Sequence, residues 1–240
     1  MPRLRLSTLR QRSGLAGGDV LIQTPAVAGE DGSLARSDEH WDSAYVRKGI
    51  GGASWYEAEP TMSLSLIEAL HVDQDAAVID IGGGGSPLAA SLLDRAFSDV
   101  SVLDVSAVAL EESRRRAPDD GRVHYLHQDL LSWEPQRRYD LWHDRAFFHF
   151  LTSEEDRRAY VRALYASLGP GSAVILATFA ADGPPTCSGL PVLRYSSEEL
   201  TRILGNRFEP LEARRQAHVT PTGNAQPFTW LAGRIGDAVR

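Results

Sequence analysis

The sequence predicts an α/β fold built on a doubly wound, mostly parallel sheet that ends in an antiparallel hairpin. From Val78 onward, short apolar runs alternate with stretches of helical periodicity, which is the pattern of successive βαβ units. The strand segments are almost wholly apolar or aromatic, as expected for parallel strands covered on both faces. Two further strand-like segments flank the turn-rich residues 220–224 and predict the closing hairpin.

The elements follow one another in a regular order. Before the sheet, an aromatic-rich segment spans residues 40–58 and is expected to pack as core or to cover a site, and apolar residues after Pro60 predict a helix through Leu70. Parallel strands are predicted at residues 77–81, 100–103, 123–127, 139–143 and 173–179, and hairpin strands at 208–217 and 226–235. The other helices are predicted at residues 86–96, at 107–116 behind the N-cap Ser106, and from the acid-rich turn at 152–156 to Leu168.

The chain is expected to divide into a poorly ordered tail, residues 1–37, and one domain, residues 38–240. The tail contains several glycines and no apolar periodicity, which is typical of a segment without a packed core. Its first 18 residues also contain arginines and no acid, as mitochondrial transit peptides do, and targeting therefore stays open as an alternative.

Composition narrows the partners. A net charge of -7 argues against non-specific binding to nucleic acid or to an anionic membrane, because both require a basic face. No apolar run approaches the roughly 18 residues of a membrane span. Cys187 is the only cysteine, so neither an internal disulfide nor a multi-cysteine metal site is expected, and no metal is predicted. These features predict a cytoplasmic protein and leave its oligomeric state open.

A glycine-rich turn directly after the first strand is the strongest functional signal. The glycines at 82–85 allow backbone to approach a ligand closely, although such a turn alone is a weak indicator. Acids accompany it: Asp80 precedes the glycines, Asp104 ends the next strand, and Asp129, followed by Leu130, ends the third. Because the carboxyl ends of parallel strands meet at one edge of a sheet, these acids are expected to converge on one crevice.

The acids favour a cationic ligand without phosphate. A carboxylate at Asp104 is suited to accept hydrogen bonds from both hydroxyls of a ribose, and Asp129 lies where an adenine amino group would donate. A nicotinamide cofactor is the rival interpretation, but it favours the pattern G-x-G-x-x-G, and here Pro87 occupies the third glycine position.

These motifs resemble those of the class I S-adenosylmethionine-dependent methyltransferases. The similarity rests on residues 78–86, 103–104, 128–130 and 139–144, and it extends over about residues 41–235. The resemblance implies a Rossmann-like sheet of seven strands in the order 3-2-1-4-5-7-6 with the last strand antiparallel, and S-adenosylmethionine as cofactor. The cofactor-binding residues implied by motif position are Asp80, Gly82 and Gly84 for the methionine end and the loop, Asp104 for the ribose, and Asp129 and Leu130 for the adenine.

Candidate catalytic residues follow the fourth predicted strand, whose carboxyl end faces the same crevice. The run at 142–150 places ionisable groups among aromatic side chains. In it His149 is a candidate general base, and His143 or Asp144 is a candidate to orient that base or to contact the methionine end. Packing of the histidines and capping or ion pairing by Asp144 are the structural alternatives.

Further candidates for contact with a substrate come from three segments. Residues 183–195 are too many for a minimal connection and predict a lid over the crevice. Cys187 within it is expected to pack rather than to act as a thiolate. The candidate substrate residues are Tyr45 and Trp55 in the aromatic-rich segment, Arg194 and Tyr195 at the end of the lid, and His218 beside the hairpin turn.

The predicted function is transfer of a methyl group to an O, N or S nucleophile of a small molecule. The aromatic cover and the lid favour a compact pocket, as small-molecule sites require. Protein-lysine N-methylation is one alternative, suggested by a loose similarity of residues 40–56 to some lysine methyltransferases. A non-catalytic module that binds the cofactor and regulates a partner is another.

Overall fold

The fold is given by a computed structural model that describes residues 37–118 and 120–237. The predicted tail, apart from Ser37, lies outside the described residues. The strands are β1 (Ala77–Ile81), β2 (Asp99–Asp104), β3 (Val123–His127), β4 (Tyr139–Arg145), β5 (Leu168–Phe179), β6 (Thr186–Cys187), β7 (Leu190–Pro191), β8 (Phe208–Val219) and β9 (Ala225–Ile235). The helices are α1 (Asp38–Lys48), α2 (Thr61–Ala69), α3 (Leu88–Leu93), α4 (Ala107–Arg116), α5 (Glu154–Ser167) and α6 (Ser197–Leu204), with 3-10 turns at Ile50–Gly52 and Phe148–Phe150.

Seven of these strands form one sheet in the order β3-β2-β1-β4-β5-β9-β8. The pairs from β3 to β5 are parallel, whereas β9 is antiparallel to both β5 and β8. When only these strands are numbered, the order is 3-2-1-4-5-7-6 with an antiparallel last strand, so the predicted Rossmann-like fold is confirmed. None of the described helices is both long and apolar enough to cross a bilayer.

The sheet is covered on both faces, which explains why its strands are apolar throughout. Successive residues of β1 belong to different apolar clusters: Val78 packs in one and Ile79 in the other. Every residue of β1 is buried. Burial of both faces holds β1 in the middle of the sheet, so its carboxyl end and the glycine turn that follows have fixed positions.

Several helices begin at side-chain caps that the sequence supplies. The Ser106 hydroxyl accepts a hydrogen bond from the Ala109 N–H, and the Ser153 hydroxyl accepts one from the Asp156 N–H, both at 3.0 Å. Caps of this kind stabilise a helix by about 1 kcal/mol each. The Ser106 cap matters for the site, because it fixes the start of α4 two residues after β2 ends at Asp104.

Some predicted boundaries are wrong. Helix α3 is shorter than the predicted 86–96: it begins at Leu88 after Pro87, and the chain leaves helical geometry before Ala96, whose φ is +67°. Leu168 does not end a helix but begins β5, where it pairs with Tyr139. Helix α6 was not predicted from the sequence, although Ser196 and Glu199 form a capping box at its start. The segment predicted as a lid contains a short two-stranded sheet, since β6 and β7 pair within it.

Candidate active site

A cavity lies at the carboxyl ends of β1, β2, β3 and β4, below the segment that precedes the sheet. This main cavity combines polar residues from strand ends with a largely aromatic cover. Its lining residues are Trp41, Tyr45, Trp55, Gly82, Leu103, Asp104, Val105, Gln128, Asp129, Leu130, Arg145, Ala146, Phe147, Phe150, Leu151 and Cys187.

The glycine turn brings backbone against the cavity because side chains would not fit there. Gly82 has a φ of +64°, in the left-handed region that favours glycine. A Cβ on Gly84 would lie 2.6 Å from the Ala109 Cβ and 2.9 Å from Asp104 Oδ2. The Gly84 N–H instead donates to Asp104 Oδ2 at 3.0 Å. The absence of side chains thus lets the turn approach the end of β2 closely enough for this hydrogen bond to form.

Asp104 is the buried carboxylate at the centre of the main cavity. Besides the bond from Gly84, its Oδ1 accepts the Ser106 N–H at 2.9 Å. Burial raises the pKa of Asp104 to about 6, while these backbone N–H donors act in the opposite direction. Each carboxylate oxygen accepts more than one hydrogen bond, so Asp104 keeps acceptor capacity for a ligand in the cavity.

Asp80 is held from behind by a buried network. Its Oδ1 lies 2.7 Å from His143 Nδ1, and His143 Nε2 lies 2.9 Å from the Ser63 hydroxyl. Asp80 Oδ2 is buried and has no hydrogen-bond partner among the described residues. His143 consequently orients Asp80 and does not itself line the main cavity. One acceptor on Asp80 is left for a ligand beside the glycine turn.

The residues that follow β3 form another part of the lining of the main cavity. Gln128, Asp129 and Leu130 all line the main cavity. The Gln128 N–H donates to the Asp104 carbonyl at 3.1 Å, and Asp129 Oδ1 accepts the Leu131 N–H at 3.0 Å. These bonds fix the turn after β3 relative to β2, so the acids at 104 and 129 face one space as predicted from their positions at strand ends.

The cover segment, residues 38–58, places three aromatic side chains over the main cavity. Trp41 and Trp55 meet edge to face at 5.9 Å between ring centroids, and Tyr45 meets Trp55 at 5.8 Å. Asp42 ties this segment to α4, because its Oδ1 accepts the Ser106 hydroxyl at 2.6 Å. The predicted substrate candidates Tyr45 and Trp55 therefore do reach the cavity, and Trp41 joins them.

A second, charged recess adjoins the main cavity. Its lining residues are Trp55, Glu57, Asp80, Gly82, Gly83, Gly85, Ser86, Pro87 and Arg145. Arg145 Nε lies 3.1 Å from Glu57 Oε1, and Arg145 Nη1 donates to the Trp55 carbonyl at 2.9 Å. The guanidinium also stacks over the Phe228 ring at 5.2 Å. Burial raises the pKa of Glu57, while the charge of Arg145 lowers it.

The structure does not bring the candidate base His149 to the cavity. His149 is fully buried, and its Nδ1 accepts the Phe179 N–H at 3.3 Å. Burial, followed by the charge of Arg145, lowers the pKa of His149 to about 3, so the ring is neutral and weakly basic at neutral pH. The chain turns at the 3-10 segment Phe148–Phe150, and this turn directs the imidazole into the core instead of the crevice.

Asp144 caps the turn that follows β4, which is the structural alternative given for it in the sequence analysis. Its Oδ1 accepts the N–H groups of Phe147 at 2.9 Å and Phe148 at 3.4 Å, which begin the 3-10 turn. Burial raises the pKa of Asp144 to about 7. Asp144 is fully buried and is not among the residues that line the main cavity.

The remaining substrate candidates also lie away from the main cavity. Arg194 donates to the Gly183 carbonyl at 3.2 Å, and the Tyr195 ring packs against Phe148 at 5.6 Å. His218 Nε2 lies 2.8 Å from the carbonyl of Ser54 and so holds the cover segment to β8. All three make connections within the fold and are not among the residues that line the main cavity.

Sequence reasoning missed several residues of the site. Glu57 carries no sequence signal of its own, and Arg145, Phe147 and Phe150 lie in the run at 142–150, where histidine and aspartate are the more familiar catalytic residue types. Ala146 lines the cavity with a φ of +70°, a strained conformation for a residue with a side chain. The predicted lid does contribute to the site, through Cys187 in β6.

Comparison with known proteins finds similarity to methyltransferases. Residues 78–171 match a family model described as a methyltransferase domain. Over 154 residues the chain is 27% identical to EEF1A lysine methyltransferase 2 of Danio rerio, which covers 58% of this chain and 66% of that protein. Over 173 residues it is 24% identical to malonyl-[acyl-carrier protein] O-methyltransferase 1 of Ilyobacter polytropus, which covers 66% of this chain and 62% of that protein. The matches thus span just under two thirds of these curated relatives.

A solved structure shares the fold. The 1,6-didemethyltoxoflavin-N1-methyltransferase of Burkholderia thailandensis, solved with 1,6-didemethyltoxoflavin and S-adenosylhomocysteine, aligns with a TM-score of 0.62 and 18% identity, over 85% of this chain and 88% of that one. The matched region, residues 78–171, contains the glycine turn and the acids at the ends of β1, β2 and β3. The sheet order, the site and the methyltransferase-domain match over residues 78–171 together support a class I S-adenosylmethionine-dependent methyltransferase.

Proposed function

We propose that this chain binds S-adenosylmethionine in the main cavity and transfers its methyl group to an O, N or S nucleophile of a small molecule. The observation that carries the proposal is that Asp104 and Asp129 line the main cavity and Asp80 lines the adjoining recess, beside a glycine turn that leaves room for contact with backbone. The aromatic cover closes this space from above.

The residues present fit this cofactor. Asp104 retains acceptor capacity for ribose hydroxyls, and Asp129 with Gln128 provides acceptors at the end of β3 for an adenine amino group. Asp80 Oδ2, buried without a partner among the described residues, supplies an acceptor for a cation. Nothing comparable favours a pyrophosphate, because α3 is only six residues long and Pro87 occupies its N-cap.

The cofactor, when bound, supplies a methyl group on a sulfonium, which needs little further activation. The task of the protein is to exclude water and to align the acceptor at roughly 3–3.5 Å. Trp41, Trp55 and Phe150 form the apolar wall that excludes water, with Trp41 and Phe150 rings 5.1 Å apart. Among the described lining residues there is no histidine, so we propose an acceptor that loses its proton without a dedicated imidazole base.

Enclosure supports a small molecule over a protein. The cover segment is held to β8 by the bond between Ser54 and His218, and to β4 by the bonds of Arg145. A held cover suits a compact acceptor better than a folded protein surface. A protein lysine is the second candidate, favoured by the 27% identity to a lysine methyltransferase of Danio rerio.

The test is release of S-adenosylhomocysteine from S-adenosylmethionine, measured against a pool of small nucleophiles and a pool of proteins. Release with the small-molecule pool, strongly reduced in Asp104→Ala at a limiting concentration of S-adenosylmethionine, is the expected result. Release with the protein pool alone would replace the substrate class by protein. Tight cofactor binding without release in either pool would favour the non-catalytic module.

A further inference from the structure

Arg145 is the charged side chain that the end of β4 contributes to the lining of the main cavity. The lining residues that follow it in the chain, Ala146, Phe147, Phe150 and Leu151, carry apolar side chains. Arg145 also lines the charged recess, so it lies where the two spaces join. A positive charge in an otherwise apolar part of a cavity indicates a ligand with a negative group, because buried charges are stable only when they are paired.

Two of the three nitrogens of this guanidinium have no hydrogen-bond acceptor among the described residues. The Arg145 side chain is 11% exposed, and its Nη1 donates to the Trp55 carbonyl at 2.9 Å. Nε and Nη2 are the buried donors without a partner, although Nε lies 3.1 Å from Glu57 Oε1. The N–H groups of Nε and Nη2 share one edge of the guanidinium plane, and that edge matches the two oxygens of a carboxylate.

Glu57 lies beside this edge without forming a hydrogen bond to it. Its side chain is 14% exposed and belongs to the cover segment, whereas Arg145 ends β4. Burial raises the pKa of Glu57, and the charge of Arg145 lowers it. A second carboxylate at Arg145 would be attracted by the guanidinium and repelled by Glu57. A ligand acid and Glu57 therefore compete for one cation.

The described part of the cavity offers no side chain that is suited to deprotonate an acceptor. Arg145 is the sole basic residue among the lining residues that the structure describes, and a guanidinium stays protonated. Burial raises the pKa of the Tyr45 hydroxyl well above its usual value, so this hydroxyl also stays protonated at neutral pH. In the proposed function, Asp104 and Asp129 hold the cofactor. An acceptor that is already ionised in water fits this cavity, and a carboxylic acid with a pKa of about 4 is such an acceptor.

We propose that the methyl acceptor is the carboxylate of a small organic acid, which Arg145 holds and orients while it is converted to its methyl ester. This inference rests on the proposed function and names the acceptor group within it. A carboxylate oxygen forms the new bond to the methyl carbon, and the bond from that carbon to the sulfonium sulfur breaks, with its electron pair staying on sulfur. The charges of the carboxylate and the sulfonium cancel, so no proton is released and no base is required.

The experiment compares a pool of small aliphatic and aromatic carboxylic acids with a pool of primary carboxamides on the same carbon skeletons. Release of S-adenosylhomocysteine is expected with the acids and not with the amides, and mass spectrometry should identify methyl esters. The reaction of an active acid is then followed with a pH indicator in weakly buffered solution. Turnover should release no proton, whereas methylation of a hydroxyl, an ammonium or a thiol group in the same acid would release one.

Substitution of Arg145 tests the anchor. In Arg145→Met, kcat/KM for the active acid should fall by roughly 30-fold or more, while affinity for S-adenosylhomocysteine in a calorimetric titration should stay within about threefold of native. Arg145→Lys keeps the charge without the planar edge and should fall between the native protein and Arg145→Met. The matched control is Arg95→Met, since Arg95 forms an exposed ion pair with Glu59 at 3.3 Å. It should turn over the acid as the native protein does.

Glu57→Gln should act in the opposite direction. It removes the internal carboxylate that competes for the guanidinium, so kcat/KM for the acid should rise by about threefold, mainly through a lower KM. An ion pair that only stabilises the fold predicts a fall in both Arg145→Met and Glu57→Gln, and that result would refute the proposal. A loss of affinity for S-adenosylhomocysteine in Arg145→Met, with kcat unchanged at saturating cofactor, would assign Arg145 to the cofactor and would also refute it.

The outcomes separate this inference from the proposed function. Release with amines, alcohols or thiols that lack a carboxylate, or equal release with the amide pool, would overturn the carboxylate acceptor and leave the proposed function standing. A proton released per turnover of an acid would overturn it as well, because the carboxylate would then serve only as an anchor. Failure with every small-molecule pool would overturn the proposed function itself. If thermal unfolding shows that Arg145→Met is misfolded, the proton balance and Glu57→Gln decide.

Discussion

The residues at the ends of β1 and β2 and the residues that lie behind the cavity after β4 use their polar side chains differently. At the ends of β1 and β2, Asp80 and Asp104 keep acceptor capacity that faces the cavity or the recess. After β4 and along the hairpin, the bonds of His149 and His218 go to backbone groups of the fold itself, the Phe179 N–H and the Ser54 carbonyl. The acceptor wall is the part of the lining formed by Arg145, Ala146, Phe147, Phe150, Leu151 and Cys187, and apart from Arg145 it meets the cavity with apolar side chains.

This difference shows that residue type alone does not indicate a catalytic role. A buried histidine or aspartate must satisfy its polar atoms, and a backbone partner within the fold suffices. The wall formed by the ends of β1, β2 and β3 specifies a ligand through hydrogen bonds, whereas the acceptor wall specifies one by shape and exclusion of water. The hydrogen-bonding wall therefore predicts the class of cofactor, whereas the apolar side chains of the acceptor wall are compatible with many classes of methyl acceptor.

Removal of a carboxylate from the cofactor wall, which is the wall formed by the ends of β1, β2 and β3, should have the largest effect on ligand binding. Asp104→Ala should weaken affinity for S-adenosylhomocysteine by roughly 1.5–3 kcal/mol, because charged hydrogen bonds to a ligand are lost. Asp99→Ala is the matched control, since Asp99 begins the same strand and pairs with Arg137. Titration calorimetry measures both. Native affinity in Asp104→Ala would remove this residue from the site.

Removal of a polar group from the core behind the acceptor wall should act on stability instead. In His149→Leu the Phe179 N–H loses its acceptor, and unfolding in urea should show a loss of about 1–3 kcal/mol. Affinity for S-adenosylhomocysteine should stay within twofold of native. His149→Asn, whose side-chain oxygen can accept the same bond, should lose less. Unaltered stability together with loss of turnover, once an acceptor is known, would restore His149 as a base.

The same contrast explains what the sequence predicts well. Parallel strands are buried on both faces, so they appear as apolar runs, and Asp80 and Asp104 are marked by their places at the ends of such runs. Arg145 has no comparable local mark, because its role depends on Trp55 and Glu57, and Trp55 lies 90 positions away in the chain. His218 likewise meets Ser54 across 164 positions. Contacts of this kind are set by tertiary packing, which periodicity and motifs do not report.

The pH dependence of the cofactor wall gives the smallest expected effect and a test of sign. Binding requires the ionised form of Asp104, whose pKa is raised to about 6 by burial, with Asp80 as a further charge acting in the same direction. Affinity for S-adenosylhomocysteine should be constant above pH 6 and should fall by up to about 1.4 kcal/mol, or tenfold, for each pH unit below it. Asp104→Ala should remove this part of the pH dependence, and Glu57 will titrate equally in both proteins.

Stability of the ligand-free protein should change in the opposite direction. The folded pKa of about 6 exceeds the unfolded value of about 3.9, so protonation of Asp104 favours the folded state. Protonation of Asp104 contributes roughly 2–3 kcal/mol to the free energy of unfolding; this contribution is complete below pH 3.9 and is lost as the pH rises through 6. The native protein should therefore gain stability relative to Asp104→Ala between pH 7 and 5 while it loses affinity. Parallel loss of both quantities on acidification would indicate general acid unfolding and would contradict the assignment of the buried carboxylate.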